Sequence, residues 1–267
     1  MSQLTDSQVD LIANRVAALI KPEKQERSVF EAPLLAEEKT ISGGYGVFNT
    51  IDSAVTAARK AYDALNELTL EQRTKIIESI RSKMRLHAEE LAQKAFDETG
   101  MGRYEDKVLK NQLVIENTQG TEALTPEALS GDRGLTLTEW APYGVVGSIT
   151  PSTNPTSTII CNTIGMLAAG NAVVFNVHPM AKEVSILNVE LINEAIIEVG
   201  GPPNLVCTIA SPTIASANEL MTAKGVDLLV VTGGEAVVKA AMSSGKRALC
   251  AGPGNPPVVV DETANIE

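Results

Sequence analysis

The sequence predicts an α/β protein built on a doubly wound parallel sheet, and three observations carry that prediction. Short apolar runs recur at "GVVGSI" (144–149), "NAVVFNV" (171–177), "NLVCTIA" (204–210), "VDLLVVT" (226–232) and "PPVVVD" (256–261). Helix-length stretches fill the gaps, over 156–169, 181–199, 213–224 and 235–244. Successive runs begin roughly 25–30 residues apart, the size of a strand plus a crossover helix. Strands that are apolar on both faces, alternating with such helices, imply a parallel sheet covered on both sides. The expected class is therefore Rossmann-like, with N-terminal helices ahead of the sheet and a short antiparallel strand extension between them.

The elements follow in chain order. Residues 1–21 predict an amphipathic helix, because Val9, Ile12, Val16, Leu19 and Ile20 fall on one helical face. Thr5 or Asp6 can cap it and Pro22 ends it. Residues 22–46, charged and broken by prolines and glycines, read as a linker. A short helix on a tether either lies on the main body or another subunit, or docks into a partner groove. Residues 47–267 then make one domain. In it Val55, Ala58, Tyr62 and Leu65 mark one helix. Ile76, Ile77, Ile80, Met84, Ala88, Leu91 and Ala95 mark a longer one, closed by Gly100. His87 lies on the surface of this second helix with no other metal ligand nearby. A third helix is expected over 105–117. "GLTLTEWAPYG" alternates as a half-exposed strand does, and 134–140 is the candidate for pairing between subunits.

Composition excludes several classes. With 44% hydrophobic and 21% charged residues in 267, a sizeable core is possible. The net charge of −11 argues against a nucleic-acid partner, which requires clustered Lys and Arg. No apolar run approaches the ~20 residues that span a bilayer, and the start lacks the pattern of a secretory signal. Cys161, Cys207 and Cys250 lie far apart, so neither a disulfide framework nor a metal site is expected. The chain reads as cytoplasmic.

In parallel sheets of this kind, ligands sit outside the carboxyl ends of the strands. The first strand exits into "TPSTNPTS", where Thr150, Pro151, Ser152, Thr153 and Asn154 precede a helix. Hydroxyls and unpaired N–H groups there can hold an anion or a carbonyl oxygen, or simply cap a helix. The second exits into "NVHPM", placing His178 and Pro179 in a loop where a cofactor or a structural role are both open. The fourth exits into "TGGEAVV", where Gly233 and Gly234 let a ligand approach the backbone before a helix begins. These loops point to a nucleotide-sized ligand.

Taken together, "APYGVVGSITPSTNPT", "NTIGMLAAGNAVVFNVHP", "GGPPNLVCTI", "LLVVTGGEAVV" and "GPGNPPVVVDETANIE" closely resemble the aldehyde dehydrogenase superfamily over about 47–267. The "TPSTNPT", "HP" and "GPGNPP" forms resemble its coenzyme A-acylating branch. The resemblance implies NAD-dependent oxidation of a small aldehyde through a cysteine thioester, with the acyl group passed to coenzyme A. It implies that NAD and coenzyme A are held by Thr150, Pro151, Ser152, Thr153, Asn176, His178, Pro179, Thr232, Gly233, Gly234 and Val237. Where acid-forming relatives read Thr-Pro-Trp-Asn, this chain places Asn154 one position later. The oxyanion donor is left open between that side chain and a backbone N–H. Asn176 stands where those relatives carry a ribose-binding lysine, and Ala251 where they carry a water-activating glutamate. Thioester hydrolysis needs a base, whereas a thiol is a competent nucleophile near neutral pH.

In this family the catalytic cysteine follows the "GPGNPP" strand on a second domain. The resemblance therefore implies a nucleophile beyond Glu267 and a chain that is inactive alone. Cys161 and Cys207 read as small core residues, and Cys250 falls just before the water-activating position. Residues 4–20 resemble the encapsulation peptides of related enzymes. That likeness implies a microcompartment shell protein as partner and a place inside a bacterial microcompartment; a homo-oligomer is expected from the 134–140 strand. Two other readings stay open: an acyl-phosphate reductase on the same scaffold, and a non-catalytic nucleotide-binding or assembly module.

Overall fold

The computed structural model describes residues 45–252, 254 and 257–263. The expected helix over 1–21 and nearly all of the linker over 22–46 lie outside the described residues.

Three helices precede the sheet: α1 (Ile51–Asn66), α2 (Leu70–Thr99) and α3 (Tyr104–Asn117). Thr50 caps α1, its hydroxyl accepting from the Ser53 N–H at 3.2 Å. Ile51, Ala54, Val55, Ala58, Ala61 and Leu65 form its buried stripe. A capping box of Thr69 and Gln72 starts α2, and Gly100, with φ of 63°, ends it in the left-handed region that glycine tolerates best. Strands β2 (Glu127–Gly131) and β3 (Gly134–Thr138) then pair antiparallel and are exposed along their whole length. The first of these is not foreseen, because "EALSG" shows no apolar alternation; its partner strand and a two-residue turn define it.

The main sheet holds β1 (Val47–Phe48), β4 (Val145–Ile149), β5 (Ala172–Asn176), β6 (Val206–Ile209), β7 (Leu228–Thr232) and β8 (Ala248–Ala251). Their order is β1-β6-β5-β4-β7-β8, with every pairing parallel. From β4 onward the chain follows the 3-2-1-4-5 order of a dinucleotide-binding sheet. Helices α4 (Pro155–Ala168), α5 (Lys182–Glu198), α6 (Ile214–Thr222) and α7 (Glu235–Met242) make the crossovers. Right-handed crossovers send the chain outward from β4 in both directions, so α4 and α5 cover one face and α6 and α7 the other. Helix α2 packs along α5 and α4, doubling the first layer, while α1 lies on β4, β5 and β6. Every residue of β4, β5 and β6 is buried, as burial on both faces requires.

One expected strand is corrected. Residues 257–261 form no strand, and Val258, Val259 and Val260 are exposed. Strand β8 forms instead at Ala248–Ala251, in register with β7 from Leu229↔Ala248 to Thr232↔Ala251. The less apolar segment before this run takes the edge of β7, and residues 257–261 add no further strand beside β8, which ends the sheet: a β-branched run forms a strand only when it pairs.

Candidate functional site

Register brings the strand exits to one level. Ile149 lies beside Asn176 and Val231, and Thr232 beside Ala251. The chain leaves β4 toward β5 on one side, and leaves β7 toward β8 on the other. The loops after β4 and β7 therefore diverge and open a crevice between them.

The helix starts around this crevice differ from those away from it. The N-cap of α4 is Asn154 and that of α7 is Gly234; neither makes a side-chain hydrogen bond to its helix. At α6, by contrast, the Thr213 hydroxyl accepts from the Ser216 N–H at 3.0 Å, and the Ser216 hydroxyl accepts from the Thr213 N–H at 2.8 Å. At α5, Glu98 reaches over from α2 and accepts from the N–H groups of Glu183 and Val184 at 2.9 and 2.8 Å. The two crossover helices flanking the crevice thus keep N-terminal donors that no side chain claims, and their dipoles favour negative charge there.

Other groups converge at the same place. Thr150 is 2% exposed, and its hydroxyl has no hydrogen-bond partner. A buried hydroxyl left unpaired costs about 1–3 kcal/mol, which a bound polar ligand would offset. A Cβ added at Gly234 would meet nothing within 4 Å, so the space is open to an incoming group. The Gly233 N–H donates to the Ala251 carbonyl at 3.2 Å, tying the two exits together. Half-buried Val237 lies under Gly233, within 3.6 Å of where a Cβ would stand. Pro151, Ser152 and Thr232 are half-buried and Thr153 is exposed.

Two predicted residues have local structural work. Asn176 is 3% exposed; its Oδ1 accepts from the Ser216 hydroxyl at 2.6 Å and its Nδ2 donates to the Thr213 carbonyl at 3.4 Å. Its side chain joins β5 to the start of α6. His178 caps the short 3₁₀ turn Pro179–Ala181, its Nδ1 accepting from the Met180 N–H at 3.2 Å. That bond places the ring proton of the neutral form on Nε2. Pro179 is exposed.

The loop after β4 is held by residues the sequence reading passed over. Lys107 of α3 is 5% exposed and donates through Nζ to the Thr153 carbonyl at 3.2 Å. Burial, with the nearby charge of Lys110, holds its pKa below the ordinary lysine value. Lys110 donates through Nζ to Asn154 Oδ1 at 3.1 Å. At the second residue of α4, the Thr156 hydroxyl donates to Asn111 Oδ1 at 2.8 Å, and the Asn188 amide donates to the Thr156 carbonyl at 3.1 Å. A signal existed: Lys107, Asn111 and Ile115 are spaced as a core stripe, and they are the buried residues of α3.

The cysteines stand apart from this crevice chemistry. Cys207 is fully buried in β6, and burial pushes its thiol pKa far above the usual range. Cys161 on α4 is half-buried; Cys250 on β8 is half-buried and paired with Val231. His87 pairs with Glu90 on α2, Nδ1 to Oε2 at 2.8 Å. Among the described residues no group of three or more His, Cys, Asp or Glu could hold a metal, and no helix is long and apolar enough to cross a membrane.

An open parallel sheet of this order, with unclaimed helix starts at its switch point, has the doubly wound α/β architecture in which ligands sit at the carboxyl ends of the strands. Comparison with known proteins narrows the class. The chain belongs to the aldehyde dehydrogenase family, whose profile matches residues 24–267. It is 52% identical over 222 residues to the acetaldehyde dehydrogenase (acetylating) EutE of Salmonella typhimurium, covering 83% of this chain and 47% of that protein. The propionaldehyde dehydrogenase of the Clostridium phytofermentans fucose utilisation microcompartment superposes with a TM-score of 0.79 at 53% identity, over 83% of this chain and 51% of that one. The Rhodopseudomonas palustris propionaldehyde dehydrogenase, solved with bound CoA and an acylated cysteine, gives 0.78 at 52% identity, over the same shares. The chain spans about half the length of these relatives.

Proposed function

We propose that this chain is the cofactor-holding portion of a coenzyme A-acylating aldehyde dehydrogenase, acting on a small aldehyde with NAD and coenzyme A. The observation that carries the reading is the convergence, at one crevice, of two unclaimed helix starts, the open space at Gly234 and the unpaired Thr150 hydroxyl. NAD and coenzyme A both carry a pyrophosphate, and its oxygens suit the N–H groups and dipole at the start of α7. Gly233 and Gly234 let that group approach the backbone, and Thr150 offers a buried hydroxyl below it. When bound, NAD supplies the hydride acceptor. Asn176 contributes indirectly by fixing the start of α6, while His178 and Pro179 shape the neighbouring exit.

Two further features support acyl transfer to a thiol. Ala251 ends β8 beside Thr232 and presents no proton acceptor where hydrolysis would need one. The nucleophilic cysteine of the proposed reaction is none of the three in this chain. Cys207 is sealed in the core, Cys161 lies within α4, and Cys250 is a sheet residue. The chain alone is then a binding unit without turnover. Titration with NAD+ and with coenzyme A tests this: each binds saturably, and no aldehyde-dependent NADH forms. NADH production by the pure chain would overturn the assignment of the nucleophile, and absence of binding would overturn the cofactor reading.

The same reading extends to location and assembly. The likeness to a microcompartment enzyme supports residues 4–20 as a docking peptide for a shell protein. A reporter fused to residues 1–22 that stayed diffuse in cells making shells would remove that support. The β2–β3 hairpin exposes Leu129, Leu135 and Leu137, with Trp140 just beyond, and so supports pairing between subunits of a homo-oligomer.

A further inference from the structure

Helix α3 buries Lys107, Asn111 and Ile115 and turns the opposite face outward. Leu109 and Leu113, neighbours at i and i+4, lie on that outer face and are 62% and 58% exposed. With Lys110, Gln112, Glu116 and Asn117 they line an open depression of about 440 Å³. Its two charges sit on opposite flanks and are held there. Lys110 leans toward the start of α4, donating to Asn154 Oδ1 at 3.1 Å. Glu116 leans toward α2, accepting from Arg85 Nε at 2.5 Å and from Nη2 at 2.8 Å. Neither is used up, because an ammonium has three donors and each carboxylate oxygen keeps a second acceptor site.

The order of these residues is self-complementary. Lys110 and Glu116 stand three positions to either side of Leu113, and Leu109 and Asn117 stand four. A second α3 laid antiparallel about a two-fold axis at Leu113 therefore sets Leu113 against Leu113 and Leu109 against Asn117. It also brings each Lys110 level with the other copy's Glu116, once on each side of the axis. A parallel copy would instead set Lys110 level with Lys110 and Glu116 with Glu116.

We infer that this face is an interaction surface for a second copy of the chain, paired antiparallel through α3, with Leu113 on the symmetry axis and two Lys110–Glu116 pairs flanking it. The contact uses no residue of the β2–β3 hairpin and does not depend on which ligand the crevice holds. One helix face is small beside a standard interface, so the pair is a transient one that fills at high protein concentration. The charges set its direction and disfavour the parallel arrangement.

Disulfide trapping of the 267-residue chain under mild oxidation tests this. A residue on a two-fold axis meets itself, so Leu113→Cys forms a covalent dimer about tenfold faster or more than Leu86→Cys, whose site on α2 is 81% exposed. Wild type supplies the background from the native cysteines. In the Leu113→Cys chain, Lys110→Glu sets like charges level on both sides and slows trapping about tenfold. Adding Glu116→Lys swaps the charges, restores two opposite pairs and recovers the rate. A purely local role for Lys110 would not be repaired by that second change. Thermal unfolding checks that each variant is folded; if the charge-swapped chain is not, the comparison of two exposed cysteine sites still decides. Trapping at Leu113 no faster than at Leu86 overturns the inference, and so does a folded charge-swapped chain that stays as slow as Lys110→Glu.

Discussion

Lys107 is a buried cation that meets a carbonyl rather than a carboxylate. Such a group opposes folding while it is charged, because desolvation outweighs a single neutral acceptor. Its folded pKa lies below the unfolded one, so the unfolded chain binds more protons in the window between them. Stability from this residue therefore rises as pH climbs from the folded value toward the ordinary lysine range. Lys107→Met is expected to raise stability at neutral pH by about 1 kcal/mol, with the advantage over wild type shrinking as pH rises through that window. Urea unfolding of both proteins at several pH values measures it, and an advantage that is absent or grows with pH speaks against it. Cys207 makes a second residue-scale prediction. With its thiol buried and its pKa raised, it reacts with a thiol reagent only on unfolding, whereas Cys161 and Cys250 react in the native chain. Gly233 and Gly234 stand out in the sequence as a place where the backbone is open to approach, and the structure gives Gly234 the N-cap position of α7. The sequence could not reveal that Asn176 is committed to Ser216, a pairing across 40 residues that only the sheet register creates.

At the scale of elements, the start of α5 shows how the fold decides where a ligand can sit. Glu98, the penultimate residue of α2, claims two N–H groups of α5. Glu98→Ala should cost roughly 1–2 kcal/mol, the range for a lost N-cap, with an unchanged denaturant slope if α5 stays in place. A neutral result in urea unfolding would mean that water serves that helix end equally well. Gly144 sets the entry to β4, with φ of 131° and a Cβ that would fall 2.0 Å from Asp227 Oδ2. The same oxygen accepts from the Val145 N–H at 2.9 Å and from Arg59. Gly144→Ala is therefore expected to destabilise by more than about 1 kcal/mol, through left-handed strain and a displaced carboxylate together. Four of the five sheet strands expected from the sequence appear close to their predicted positions, since residues buried on both faces leave an uninterrupted apolar signal. The fifth was misplaced because an apolar run records affinity for an interior and says nothing about which edge is free. The whole of β2 escaped notice because an exposed hairpin has no buried face to pattern its side chains.

For the molecule as a whole, the central claim is that the crevice between β4 and β7 holds a pyrophosphate-bearing cofactor. The order β6-β5-β4-β7-β8 creates that crevice, and unclaimed helix starts mark it as a place for negative charge on a chain whose net charge is −11. Gly234 allows a clean test. Its φ of −68° and ψ of 167° suit any residue, and an added Cβ meets nothing, so Gly234→Val should keep the fold, at the cost of about 1 kcal/mol for a poorer N-cap, while filling the approach to α7. Calorimetric titration of NAD+ into both proteins decides the matter. The account predicts saturable binding to wild type and a loss of about tenfold or more in Gly234→Val, which is about 1.4 kcal/mol, with the variant still folded at the temperature of the titration. Equal affinity in the two proteins, or no binding to either, would contradict it.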